Sequence, residues 1–108
     1  MNEDLALASF AALSNATRLR MLKYLVNAGG SGMLAGEIAE AVNASPSRAS
    51  FHLAAMAETG LVTSKRESRQ VTYQVDFGAV GELVRYLLLD CCQNNEVVLS
   101  CCTPNQCC

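Results

Sequence analysis

Before Cys91 the chain has no cysteine, and after Arg85 it has no lysine or arginine. It has a single histidine, His52. No apolar run approaches the roughly 18 residues that a membrane-spanning helix needs. The opening MNEDLALASF is acidic and has no basic stretch ahead of an apolar one, so it does not read as a secretion signal. No internal repeat is visible. No nucleophile–base or paired acid–base constellation is present, and the only imidazole lies in a short polar helix, so an enzyme is not expected. The expectation from these absences is a cytoplasmic chain with no membrane partner and no organic cofactor. In that compartment cysteines stay reduced and serve as ligands or redox sensors more often than as disulfides.

What is present is concentrated. The 108 residues contain six cysteines, arranged as Cys91-Cys92, Cys101-Cys102 and Cys107-Cys108. They sit among Gln93, Asn94, Asn95, Pro104, Asn105 and Gln106, so the pairs belong to a polar tail rather than to a core. The competing readings of that tail are a disulfide knot and an inert end. The chain length suits one small domain. An apolar fraction of 51% beside 17% charged residues suits a globular protein that buries an extra face, as in a dimer. The division expected is 1–92 for the folded domain and 93–108 for the cysteine-rich tail. The net charge of −2 does not by itself favour nucleic acid. Its distribution does, because Arg48, Lys65, Arg66 and Arg69 cluster against only Glu58 and Glu67 between positions 43 and 73, with Arg18, Arg20 and Lys23 as a second basic group.

The periodicity predicts a helix around Leu5, Ala8, Phe10, Ala11 and Leu13, and a second from Ala16 to Val26 with Leu19, Leu22, Tyr24, Leu25 and Val26 turned inward. A glycine-rich loop at 28–32 leads to a short helix at about 34–42. Ser45 is the natural N-cap of the next helix, Pro46 fits its first turn, and Gly60 closes it after Thr59. Residues 61–64 and 70–75 read as strands with Lys65–Arg69 as their polar tip. The last helix, about 78–90, is apolar around most of its circumference, which predicts burial on two sides and a partner copy on one of them. The fold class expected is therefore mainly α with a small β-hairpin.

Two short helices joined by a tight turn and followed by a basic hairpin make a winged helix-turn-helix. In the fourth helix Ala49, Leu53 and Met56 fall on one face. Ser47, Arg48, Phe51, His52 and Ala55 fall on another, small and polar enough for a major groove. Arg48 suits guanine edges or phosphate, and Ser47 and Ser50 can donate to phosphate or base. Lys65, Arg66, Arg69 and Gln70 suit flanking phosphates or the minor groove. His52 reads equally as a DNA contact and as a structural histidine holding the turn.

Ser-Asn-Ala-Thr-Arg-Leu-Arg-Met-Leu at 14–22 resembles the second-helix signature of ArsR/SmtB repressors. Ser45-Pro46-Ser47-Arg48-Ala49-Ser50-Phe51-His52-Leu53 resembles their recognition helix, and Ala57–Val62 with Lys65–Gln70 and Tyr73 resembles their helix end and wing. The resemblance spans roughly residues 5 to 92. It implies a homodimer joined through the first and last helices, bound to double-stranded operator DNA and released by a metal or metalloid.

The family's inducer sites differ in place. One arsenic site uses cysteines in the third helix, and Met33–Glu40 has none. Another uses histidines and carboxylates on the last helix, which one histidine cannot supply. A third uses a vicinal pair at the end of the last helix, and Cys91-Cys92 matches it. The match then loosens, since Val98 stands where a third ligand is expected and either Cys101 or Cys102 must loop back instead. Soft thiolates select soft ions. Trivalent arsenic wants three thiolates in a pyramid, methylated arsenic two, and zinc four in a tetrahedron. The resemblance puts arsenic(III) first and antimony(III) beside it as inducer. A methylarsenite-selective repressor and a thiol redox sensor are the alternatives. Cys107 and Cys108 have no assigned role. Ligand thiols must lose protons on binding, so inducer affinity should fall as pH is lowered.

Overall fold

A computed structural model describes residues 1–101. The order is α1 (Glu3–Leu13), α2 (Ala16–Ala28), a short 3-10 turn, β1 (Met33–Leu34), α3 (Ala35–Ala41), α4 (Pro46–Glu58), β2 (Val62–Glu67), β3 (Gln70–Val75) and α5 (Phe77–Tyr86). A π-helical turn (Leu87–Cys91) extends α5, and α6 (Glu96–Cys101) follows. The architecture is mainly helical with a small antiparallel sheet, as expected, but the sheet has three strands in the order β1-β3-β2. Among the described residues no helix is long and apolar enough to cross a membrane.

Helix starts follow side-chain chemistry. Asn2, Asn15 and Asp76 each accept a backbone N–H of the first turn of α1, α2 and α5. At α4, Ser45 Oγ accepts the Arg48 N–H at 3.3 Å, and Pro46 takes a position whose N–H has no partner in any helix. Gly60, at φ +83°, ends that helix in the left-handed region where a glycine carries no Cβ penalty. The turn before α4 is equally defined: Asn43 sits at φ 55°, and the Ala44 N–H donates to Ala39 O at 2.9 Å.

The main core gathers Met21 and Leu25 of α2, Ile38 and Ala39 of α3, Ala49, Leu53 and Met56 of α4, and Val62 and Val75 of the wing. Each fully buried side chain of Leu53 size contributes about 2 kcal/mol relative to exposure. A second cluster joins Ala6 of α1, Leu61 and Leu83 of α5. Reader helix, wing and outer helices are therefore seated on one continuous body.

Several expectations are corrected. The inward face of α2 is a narrow stripe of Met21 and Leu25, with Leu22 half-buried, while Leu19, Tyr24 and Val26 are exposed. At about 100° per residue, five neighbours from 19 to 26 cannot share one face. In α1 the buried residues are the small Ala6, Ser9 and Ala12, and Leu5, Leu7 and Phe10 point outward. Leu34 belongs to β1, paired with Thr72, rather than to α3. Lys65, Arg66 and Glu67 lie within β2, pairing with Thr72, Val71 and Gln70, so the loop is only Ser68-Arg69. Pairing with β3 carries the polar run Thr63–Glu67 into the strand, although its residue types alone do not mark it as one. The last helix begins at Phe77 and ends in a π-helical turn. In the single chain it buries only Leu83 fully, leaving Val84, Leu87 and Leu89 exposed. Residues 96–101, within the expected cysteine-rich tail, form a helix.

Candidate nucleic-acid interface and thiol site

The buried stripe of α4 dictates its outward face. With Ala49, Leu53 and Met56 sealed in the core, Ser47, Arg48, Ser50 and Phe51 are exposed and His52 is half-buried. Phe51 is a large apolar ring left 68% exposed. Ser47, Arg48, Phe51 and His52 line one shallow concavity. The structure thus brings four residues of the reading face together.

His52 is also tied to the body. Arg18, at the start of α2, donates from Nε to His52 Nδ1 at 3.0 Å and from its terminal nitrogen to Ala12 O at 3.4 Å. Its guanidinium stands 5.9 Å from the centre of the Phe51 ring, which meets the His52 ring edge-on at 69°. Burial, and then the positive charges of Arg18 and Arg48, hold the His52 pKa below its ordinary value. Both readings of His52 thus have physical content: one ring edge is occupied by the protein, while the ring shares the outward concavity. Arg18 is the residue that sequence reasoning missed. It had been grouped with Arg20 and Lys23 as surface charge, and a spacing of 34 positions to its partner leaves no local pattern.

The wing places Lys65, Arg66, Arg69 and Gln70 on an exposed ribbon apart from α4. Lys65 Nζ lies 3.3 Å from Glu67 Oε1, with both side chains largely in solvent. Ser68, at φ 56°, turns the ribbon.

At the other end of the fold the π-helical turn sets the cysteines. The Cys92 N–H donates to Leu87 O at 2.8 Å, five residues back, and Asn94 N to Leu88 O at 2.6 Å. Gln93 and Asn94 both have positive φ, 49° and 56°, in a turn that separates the π-helical segment from α6. Asn95 then caps α6 by accepting the N–H groups of Val97 at 2.9 Å and Val98 at 3.4 Å. Cys91 is exposed, while Cys92 and Cys101 are half-buried. Among the described residues no three His, Cys, Asp or Glu side chains are gathered closely enough to hold an ion. The donor set is of the right kind for a thiophilic species, but among the described residues its sulfurs are not gathered into a group of three. Cys102, Cys107 and Cys108 lie outside the described residues, as does the end of the expected tail segment.

Residues 13–65 match a helix-turn-helix domain family. A probable mercury resistance operon repressor of Streptomyces lividans is 30% identical over 95 residues, covering 87% of this chain and 72% of that protein. An ArsR-like transcriptional regulator from Rhodococcus sp. RHA1 superposes with a TM-score of 0.67 at 28% identity, covering 78% and 76% of the two chains. The homodimeric winged helix-turn-helix DNA-binding domain of Mb0332 from Mycobacterium bovis gives 0.66 at 25% identity, with coverages of 81% and 79%. The chain belongs to the ArsR family. It is a transcriptional regulator of the winged helix-turn-helix type. In this ArsR chain the matched segment runs from the end of α1 to the middle of β2, so it contains Arg18, α4 and the start of the wing but no cysteine. The helix-turn-helix match and the cysteines therefore lie on separate parts of the molecule.

Proposed function

We propose that this ArsR-family chain is a homodimeric repressor. It places α4 in the major groove of operator DNA and leaves it when thiolates at the end of α5 and on the tail capture a trivalent metalloid. Ser47, Arg48, Ser50 and His52 would meet base edges and nearby phosphates, and Lys65, Arg66, Arg69 and Gln70 the flanking backbone. The homodimeric Mycobacterium bovis domain supports the dimer. So do the uncovered apolar residues Leu5, Leu7 and Phe10 of α1 and Val84, Leu87 and Leu89 at the last helix.

One observation carries the switch. Cys91 and Cys92 terminate the helix that bears the exposed Val84, Leu87 and Leu89, and a turn at Gln93-Asn94 directly after them leads into α6. Cys91 and Cys92 would supply two thiolates, and Cys101 or Cys102 a third by moving α6 back toward the pair. Movement of α6 against the end of α5 would change the dimer geometry and hence the spacing of the two α4 helices, which must match successive turns of DNA. A coupling of about 1–3 kcal/mol changes affinity roughly 5- to 150-fold. Three soft donors suit arsenic(III) or antimony(III). Mercury(II) is the second reading, favoured by the relative from Streptomyces lividans.

The test is release of bound DNA by arsenite, antimonite, methylarsenite, mercuric, zinc and cadmium ions and by a mild oxidant. It is repeated with Cys91→Ser/Cys92→Ser and with Cys101→Ser. Arsenite should release the wild type and leave the double variant bound. Normal release of the double variant would remove the pair from the site. Release by oxidant alone would favour a redox sensor.

A further inference from the structure

An arginine guanidinium such as that of Arg18 has donors and no acceptor. Its 3.0 Å contact with His52 Nδ1 therefore requires that nitrogen to carry a lone pair. The ring is then neutral, with its proton on Nε2. The contact joins the first turn of α2 to the middle of α4, and the same guanidinium reaches the Ala12 carbonyl and the Phe51 ring. Three elements meet at one side chain. His52 also lines the concavity formed by Ser47, Arg48 and Phe51.

We propose that Arg18 is a positioning residue for DNA recognition: it locks His52 as a neutral Nε2–H donor and holds Phe51 on the reading face. This rests on the reading that α4 meets DNA. A locked ring offers one N–H, which suits a phosphate oxygen, guanine N7 or O6, adenine N7 or thymine O4. It does not offer the positive charge that an unrestrained histidine gains on mild acidification. Phe51 suits an apolar contact such as a thymine methyl. The charged groups acting on the ring are Arg18 from α2 and Arg48 from its own helix, and both oppose its protonation.

The chain has one histidine, so its imidazole signals need no assignment by elimination. Long-range proton–nitrogen NMR of the free protein should show Nδ1 unprotonated and Nε2 protonated at neutral pH. In Arg18→Ala the titration midpoint of the ring should rise. DNA affinity is measured on the duplex that the wild-type protein selects from a randomised library, for Arg18→Ala, His52→Asn, the double variant and Arg48→Ala. Asparagine keeps an acceptor near Nδ1 but removes the Nε2–H, so it separates the lock from the donor. Each single variant should weaken binding about fivefold or more, the effect of one lost hydrogen bond. The double variant should be little worse than either, because Arg18 acts through His52. Additive losses would mean that Arg18 touches DNA by itself, and an unmoved titration midpoint would mean that no lock exists; either overturns the proposal. If the lock is present but neither Arg48→Ala nor His52→Asn alters binding, the placement of α4 on DNA is wrong, and the proposal fails with it. Thermal melts accompany each variant, since loss of the Ala12 contact alone would lower stability without shifting the tautomer.

Discussion

Gly32 is packed directly against the backbone carbonyl of Tyr73, with φ at +69°. A Cβ at this position would overlap that carbonyl and also press on the Thr72 side chain. Because Met33 pairs with Tyr73, this contact is what lets the α2–α3 connection join the sheet and seat the wing on the reading domain. Gly32→Ala should therefore destabilise the fold by about 1–3 kcal/mol from backbone strain, with the steric overlap added. Gly30 has no neighbouring heavy atom within 4 Å of a built Cβ and no positive φ, so Gly30→Ala should be neutral or slightly stabilising. Thermal melts of the two variants decide this: equal midpoints would mean that β1 is not held as described.

Ser9 is fully buried on the inner face of α1, and its hydroxyl has no hydrogen-bond partner among the described residues. A desolvated, unpaired hydroxyl costs about 1–3 kcal/mol. Alanine removes that cost, keeps the close packing of Ala6 and Ala12 and is the better helix former. Ser9→Ala should raise the melting midpoint by roughly 4–8 °C for each kcal/mol recovered. A lower midpoint would reveal a hydroxyl contact that matters.

The reading helix was legible because its signals are local. Ser45, Pro46 and Gly60 bracket it by cap chemistry, and Ala49, Leu53 and Met56 repeat at helical spacing, so its buried and outward faces followed from sequence. The face of α2 was not legible. Leu19, Tyr24 and Val26 are as apolar as Met21 and Leu25, and only the position of α3 and the sheet decides which are covered. The same holds for α1, where small residues rather than the large ones are inside, because the neighbouring helices approach closely. The two-residue strand β1 has no periodicity to read and exists through its pairing with β3. The Arg18–His52 contact is a product of tertiary placement. At the thiol end the pair Cys91-Cys92 was legible as the terminus of the last helix. The π-helical turn and the α6 helix that separate it from Cys101 depend on backbone geometry that Gln93-Asn94 does not announce.

Stability should depend on pH through His52. Its folded-state pKa lies below the ordinary value because burial, then Arg18, then Arg48 disfavour the charged ring. The unfolded chain therefore binds the proton first as pH falls. The stabilising contribution is complete above the ordinary pKa of about 6.5. It declines as pH drops from there through the depressed folded-state value. Below that value no further loss comes from this group. Denaturant titrations of the wild type between neutral and mildly acidic pH should show the slope, and His52→Asn should flatten it. An unchanged slope in that variant would assign it to carboxylates instead.

The wing and the reading helix should separate by salt dependence. Lys65 and Glu67 are paired at 3.3 Å but exposed, so their contact adds almost nothing to folding. Their influence is on the field that DNA meets. Lys65→Gln, Arg66→Gln or Arg69→Gln should each weaken binding to selected and random duplexes alike and reduce the log–log salt slope by about one. Glu67→Gln should leave the melting midpoint unchanged and strengthen binding at low salt, since on the proposed placement of the wing it removes a carboxylate near the phosphates and frees Lys65. Arg48→Ala should act differently, reducing discrimination between selected and random sequence while leaving the proposed capture of arsenite by the cysteines unaltered. Affinity for both duplexes falling together in Arg48→Ala, with specificity intact, would place Arg48 on the phosphate backbone rather than on base edges.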